Sequence, residues 1–504
     1  MKAPALTAAI LALALPSFAL EGDVRIHDPS TIVQCNGKYY TYGTGGSCLV
    51  SDDGWTWRRG TTPPRRGMAP DIIHVNDRYF MYVARNVGAQ PRADINLIWS
   101  KSLDTNSPDY KWEEAGVVAS SDGIEDCNAI DPGLLLDPKD GRLWMVYGSY
   151  FGYIRLVELD PKAGGRKDPN DPPVNLAINC EASILIAHDG WYYLLATHGS
   201  CCRGADSGYN IRMGRSKIIT GPFLDHEGID MMQGGGKLFA GSGGRVVGPG
   251  HFGRINLGDG VEKFSCHYEA DLDRGGASVL DIRPLLWKDS WPVAGENLRE
   301  GTYQIESVRT GTVLELAVEG VPVGGRRERR GGGPGAGGPG FGGPGGGAGP
   351  GAGGPPGGGG FFGGTGGVIP SQDVAQVSTN WPTVNSDLRM ANYLCQAQQK
   401  WSITAVTNAD GYLGSPYFKI TIAGTDRPLA ATADGELVAL PAFTGAPEQL
   451  WRIDQLTDGT WRIMPKSAAS SKEPLALSAV GSSFATLSKF DPRSDKQRWW
   501  IKTP

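Results

Sequence analysis

The sequence predicts an all-β protein, a five-bladed β-propeller followed by a β-trefoil-like domain. Three observations predict it. A unit of acidic motif, short apolar run, tight turn and aromatic strand recurs through the first 300 residues. A second repeat, Gln-x-Trp, recurs three times in the last quarter of the chain. Between residues 22 and 300 no sustained helical period occurs, which argues against an α/β protein.

The first unit runs Asp28-Pro29, Thr31-Ile32-Val33, Asn36-Gly37, Tyr39-Tyr40. The second runs Pro70-Asp71, Ile72-Ile73, Asn76-Asp77, Tyr79-Phe80, and the third Asp131-Pro132, Leu134-Leu135-Leu136, Asp140-Gly141, Leu143-Trp144. The fourth is Glu181-Ala182, Ile184-Leu185-Ile186, Asp189-Gly190, Trp191-Tyr192-Tyr193, and a degenerate fifth starts at Pro249-Gly250-His251. Asn-Gly and Asp-Gly between β-rich runs are hairpin turns, because both central residues must take positive φ. Starts 43, 60, 50 and 70 residues apart leave room for a four-stranded sheet and its loops. Five such sheets arranged radially make a propeller.

Gln399-Lys400-Trp401, Gln449-Leu450-Trp451 and Gln497-Arg498-Trp499 are 50 and 48 residues apart. Three β units with one Gln-x-Trp each resemble a ricin-type β-trefoil. Residues 331–367 are almost all Gly, Pro and Ala, too poor in apolar side chains to offset ordering entropy. A disordered insertion at about 324–367 is therefore expected inside the first trefoil repeat. At the N-terminus, Lys2, an apolar run from Ala3 to Leu15, and then Pro16, Ser17 and Ala19 form a signal-peptide pattern. The expected division is 1–19 signal peptide, 20–299 propeller and 300–504 trefoil-like domain, in a secreted or periplasmic protein.

A formal charge of −5 gives no basic footprint, which excludes nucleic acid as the expected partner and favours a neutral polymer. No apolar run after the N-terminal one reaches the ~20 residues of a membrane span. The eight cysteines have no zinc-ligand spacing. Free thiols and one or two bridges both stay open, and a bond between the adjacent Cys201 and Cys202 is expected to be strained.

In a propeller the innermost strands run along the central axis, so one repeat position faces one funnel. The repeats place Asp28, Asp71, Asp131, Glu181 and His251 in that position. Crowded carboxylates cannot all ionise cheaply, so at least one pKa should rise. That is the condition for an acid and a base to coexist near neutrality, as glycoside hydrolysis requires.

At this point the sequence resembles glycoside hydrolase family 43, its arabinanases in particular, over residues 23–297. The resemblance rests on His27-Asp28-Pro29-Ser30, Ala69-Pro70-Asp71, Asn128-Ala129-Ile130-Asp131-Pro132-Gly133 and Cys180-Glu181-Ala182-Ser183. It continues through Cys201-Cys202-Arg203-Gly204, Gly214-Arg215-Ser216, Gly248-Pro249-Gly250-His251 and Ile282-Arg283-Pro284-Leu285. It implies Asp28 as general base, Glu181 as general acid, and Asp131 as the carboxylate that raises the acid's pKa and orients it. Hydrolysis would invert the anomeric centre, with base and acid ~6.5–9.5 Å apart to admit a water. The implied substrate is an arabinan-type polysaccharide or oligosaccharide. No cofactor is implied as required, but His251 matches a residue beside an axial metal or water cluster, often calcium. Calcium prefers oxygen, so His251 would act through water or directly.

For other residues two readings stand. Asp71 is a substrate contact or a hydrogen-bonding tie at a blade edge. Asn128, Ser149 and Ser183 touch sugar or bond backbone, and His267 donates to a sugar hydroxyl or is an ordinary bonded histidine. Cys201 lines the pocket or is a small buried hydrophobe, and His27 packs beside the base. Two departures from the family pattern concern subsite shape: Met68 stands where many relatives carry Trp, and Ser183-Ile184 where a Pro-aromatic pair is common. In the trefoil-like repeats, Leu314-Glu315-Leu316, Leu429-Ala430-Ala431 and Leu475-Ala476-Leu477 lack the Asp of ricin-type sugar sites. The rival functions are an exo-acting α-L-arabinofuranosidase or β-xylosidase on the same scaffold, and a non-catalytic carbohydrate-binding propeller.

Overall fold

A computed structural model describes residues 20–504 apart from 89–90, 123–126, 151, 318–380, 382, 433 and 468–472. The signal-peptide segment and the Gly/Pro-rich insertion lie outside the described residues. Within them the chain is all-β, with short 3-10 turns as its only helical elements.

Five antiparallel sheets form the propeller, in chain order, and their first strands are Val33–Cys35, Met68–Val75, Gly133–Leu136, Glu181–His188 and Val247–Asn256. The first turns follow from residue type. Asn36 and Gly37 have φ of 50° and 75°, and Asp189 and Gly190 47° and 71°, the paired positive φ of tight hairpins. The degenerate fifth copy makes a full four-stranded sheet, 247–294.

Apolar wedges fill the seams between blades. Phe80, Tyr82, Leu97, Leu134 and Met145 join blades two and three, and Trp144, Leu156, Leu185 and Leu194 join three and four. The seam between the last blade and the first has a different closure. Glu21–Gly22 pairs in parallel with Thr56–Arg59 on the outer edge of blade one. A few residues on, the Leu280 amide donates to Val24 O at 2.9 Å and the Ile26 amide to Ser278 O at 3.1 Å, on blade five. One short segment thus holds both ends of the ring.

The C-terminal region is a closed β-barrel with a threefold repeat. The indoles of Trp401, Trp451 and Trp499 donate to Leu314 O, Leu429 O and Leu477 O at 2.9, 2.9 and 3.0 Å. The side-chain carbonyls of Gln399, Gln449 and Gln497 each accept a loop amide, from Leu394, Thr444 and Asp491. All three Trp are fully buried in one core. The barrel docks across the closing seam of the propeller. The amides of Gly411 and Leu413 donate to Asp53, and that of Gly414 to Gly54 O. A Cβ at Gly411 would stand 2.3 Å from Trp55 Cβ, so this approach requires glycine. On the blade-five side, buried Arg462 pairs with Asp259 at 3.0 Å and Asp454 at 2.7 Å.

Candidate active site

Each blade enters its innermost strand through a residue of positive φ: Asp28 (52°), Ala69 (44°), Asp131 (53°), Ala182 (47°) and His251 (62°). These five are the true equivalents, and they correct the alignment drawn from sequence. Asp71 lies two residues beyond its slot and Glu181 one residue before it. Irregular register at the start of the second, fourth and fifth inner strands accommodates the offsets.

The kinked starts are tied into a ring. Thr44 Oγ1 accepts the Ala69 amide at 2.9 Å, and Asp71 Oδ2 the Leu134 amide at 2.9 Å. Asp131 Oδ2 accepts the Ala182 amide at 3.1 Å, and Thr197 Oγ1 the His251 amide at 3.1 Å. His267 Nδ1 accepts the Asp28 amide at 3.2 Å and closes the circle. Every seam therefore carries at least one side-chain-to-backbone bond near the start of its inner strand. Asp71 also accepts the Thr31 amide at 2.9 Å, so both its oxygens hold backbone. His267 is 1 % exposed and supports Asp28 from beneath, which places it away from the sugar contact allowed for it above.

Asp28, Asp131 and Glu181 come from three blades, each 7–9 % exposed. Asp28 Oδ2 accepts from Thr44 Oγ1 at 2.6 Å and lies 2.7 Å from His27 Nδ1, while Oδ1 is 3.5 Å from His251 Nδ1. Burial opposes its ionisation, but hydrogen bonds and charge from His251 and His27 hold it well below the usual carboxylate range. The same contacts raise His27 and His251 against the burial that would lower them. Asp131 has the opposite environment: burial first, then the Glu181 charge, pushes it up to about 8. Glu181 is gripped at both oxygens, by Ser149 Oγ at 2.7 Å and by a short bond from the Tyr209 hydroxyl. Burial and the Glu181 charge also push Tyr150 up to about 12, so it stays a neutral phenol.

Ser149 thus spends its hydroxyl on Glu181. Asn128 Oδ1 and Ser183 Oγ are buried without a protein partner among the described residues. Met68 is 40 % exposed. Cys201 and Cys202 are bonded to one another, one of the alternatives left open by the sequence, and their sulfurs stand 3.9 and 4.0 Å from His27 Nε2. Cys35, Cys48, Cys180 and Cys266 are free and buried, and Cys395 is free and exposed. Sequence reasoning missed Thr44, Tyr150, Thr197 and Tyr209. The signal within reach for Tyr209 was its place five residues before Gly214-Arg215-Ser216, a motif already singled out.

Three carboxylates from three blades, with Asp28 held low and Asp131 pushed up to about 8, define the site as that of a glycoside hydrolase. The description "Glycosyl hydrolases family 43" matches residues 27–292, and the chain belongs to that family. It is 31% identical over 307 residues to the extracellular exo-alpha-(1->5)-L-arabinofuranosidase ArbA of Cellvibrio japonicus, covering 54% of this chain and 87% of that protein. It is also 31% identical over 294 residues to the extracellular endo-alpha-(1->5)-L-arabinanase 1 of Bacillus subtilis, covering 53% and 87%. Among solved structures, an exo-1,5-alpha-L-arabinanase from a bovine ruminal metagenomic library shares 33% identity. It covers 55% of this chain and 99% of that one at a TM-score of 0.51. The Cellvibrio cellulosa alpha-L-arabinanase complexed with arabinohexaose shares 29%, covering 54% and 96% at 0.51.

Proposed function

We propose that this chain is a secreted arabinan hydrolase that cleaves α-1,5-linked L-arabinofuranosyl units with inversion. The observation that carries the reading is the convergence of Asp28, Asp131 and Glu181 from three blades, each fixed by hydrogen bonds, with burial and neighbouring charge shifting Asp28 down and Asp131 up. Asp28 takes a proton from a water as its oxygen attacks the anomeric carbon. Glu181 gives a proton to the leaving oxygen as the glycosidic bond breaks. Asp131 orients Glu181 through the Ala182 amide, and Ser149 and Tyr209 fix the acid's angle. Asn128 and Ser183 are the proposed sugar contacts, since each has a buried oxygen with no protein partner. The extracellular relatives and the N-terminal leader pattern support secretion.

Calcium on the axis fits only as a largely hydrated ion. Among the described residues no cluster of three or more carboxylate, imidazole or thiol ligands includes His251. His251 would offer Nε2 and water the rest, and the ion would add positive charge to the funnel floor. The barrel we read as a ricin-type β-trefoil, supported by its three equivalent Gln-x-Trp bonds. Its role is docking: Glu315, in the place of a repeat's sugar-binding segment, is buried against Arg389 and Gln399.

The test is Glu181→Gln on debranched arabinan, branched arabinan, arabinoxylan and aryl glycosides. A loss of about 10²–10⁴ in kcat is expected, with β-configured arabinose as the first-formed anomer of the wild type. Unchanged turnover in the variant would remove Glu181 as the acid. Release of monosaccharide alone from debranched arabinan would make the enzyme exo-acting. Binding of polymer with no new reducing ends would make the propeller a lectin.

A further inference from the structure

The proposed mechanism makes no use of the bonded pair Cys201–Cys202. The pair sits on the loop after Trp191–His198 of blade four. That loop is anchored on both sides: Ser200 O accepts the Ser207 hydroxyl at 3.2 Å, and Gly275 O accepts the Ala205 amide at 2.9 Å. Its two sulfurs therefore stay beside His27, 3.9 and 4.0 Å from Nε2. The rest of that ring is equally constrained. His27 Nδ1 is 2.7 Å from Asp28 Oδ2, and the ring stacks on His267 with centroids 4.6 Å apart.

A histidine that donates Nδ1–H to a carboxylate presents its Nε2 lone pair outward, the arrangement in which imidazoles bind metals. Two ligands of one tetrahedral zinc, nitrogen at ~2.1 Å and sulfur at ~2.3 Å, stand about 3.6 Å apart. The observed separations exceed this by a few tenths of an ångström. In the disulfide the sulfurs carry no charge and are poor ligands, whereas two thiolates are strong ones for soft cations.

We propose that His27, Cys201 and Cys202 form a redox-gated site for a thiophilic divalent cation such as Zn2+ or Cd2+. A dithiol or phosphine supplies two electrons and is oxidised as the S–S bond opens to two thiols. The cation then binds both sulfurs and His27 Nε2, and the two thiol protons leave to solvent. The fourth position is taken by water on the exposed Cys202 side. The bound ion, its charge balanced by the two thiolates, locks the His27 ring that holds Asp28, which lowers turnover. That last consequence rests on Asp28 being the base; the binding does not.

Cd2+ alone is the probe, added to the full chain before and after reduction with a phosphine that is then removed. Thiolate-to-cadmium absorption and equilibrium dialysis read the binding. Reduction is expected to create one further bound Cd2+ per chain. The site should vanish in the double variant Cys201→Ser, Cys202→Ser, persist in Cys395→Ser, and weaken at least about tenfold in His27→Gln. Equal binding before and after reduction, or equal binding by the double serine variant, overturns the proposal. Arabinan turnover is followed in parallel. Reduced wild type that binds Cd2+ yet keeps full turnover leaves the metal site standing and counts against Asp28 as the base.

Discussion

Asp28 and Asp131 are the same residue type in the same backbone conformation, yet they hold opposite charge states. Asp28 is surrounded by His27, His251 and Thr44; Asp131 by burial and the Glu181 carboxylate. The sign of each shift sets one side of the pH profile. Asp28 stays ionised until the pH falls below the ordinary carboxylate range, so acid-side loss should come late. Asp131 keeps its proton until about pH 8, so that proton is present at neutrality and lost above that. Folding stability follows the same signs. The Asp28 contribution is present above the unfolded carboxylate pKa and lost in strong acid. The Asp131 contribution is full below that pKa and lost as pH rises towards 8. Asp131→Asn removes the carboxyl whose proton is lost near pH 8. The alkaline limb of kcat/KM should then move to lower pH by about one unit or more, ~1.4 kcal/mol per unit. A pH-rate series on an aryl arabinofuranoside measures it, and an unmoved limb would detach Asp131 from the proton inventory. Tyr209, which clamps Glu181, was not legible as a site residue. It lies just before the third strand of blade four, and packing rather than chain proximity delivers its hydroxyl.

The blades are held by their apolar wedges, but the five bonds at the funnel floor set the angle at which each inner strand begins. Asp71 is the most committed member, with one oxygen on Thr31 of blade one and the other on Leu134 of blade three. Asp71→Ala leaves two buried amides without partners. The expected cost is about 2–4 kcal/mol in urea denaturation, at ~1–3 kcal/mol per orphaned group. KM for arabinan should not move at a temperature where the variant is folded. The reverse pattern, normal stability with a raised KM, would make Asp71 a sugar contact. At this scale the hairpins were readable from sequence, because Asn36-Gly37 and Asp189-Gly190 satisfy a backbone demand few other residues meet. The exact slot was not. Positive φ at Ala69 and Ala182 is imposed by the fold against local preference, and bulges shift the register by one or two residues without a mark in the spacing. Carboxylate-bearing motifs therefore picked out Asp28, Asp131 and Glu181, which the fold brings together, but aligned Asp71 and Glu181 one or two residues from the positive-φ slot.

Across the whole molecule the closing seam is a place where three parts of the chain meet. The N-terminal segment crosses it, and the barrel covers it from outside. Leu413 of the barrel hairpin is 2 % exposed and belongs to the same apolar cluster as Ile26, Trp57, Leu280 and Ile282. The repeat pattern predicted two β units in sequence but not their contact, because no periodicity marks Leu413 as different from any other buried leucine. The consequence is mechanical. The residues that cross the seam, Val24 to Ile26, lead directly into His27 and Asp28, so whatever stiffens the seam stiffens the base. Leu413→Ala should cost about 2–4 kcal/mol, the range for a large-to-small change in a packed core. In calorimetry the loss should appear in the propeller, whose transition should fall and separate from that of the barrel. Phe484→Ala, at a residue 68 % exposed on the barrel, is the control and should change stability by no more than about 0.5 kcal/mol. Turnover of Leu413→Ala should decline at temperatures below its own unfolding, because Asp28 loses its anchorage before the blades come apart. If the two transitions stay merged and turnover tracks the folded fraction alone, the barrel is a passenger and the ring closes without it.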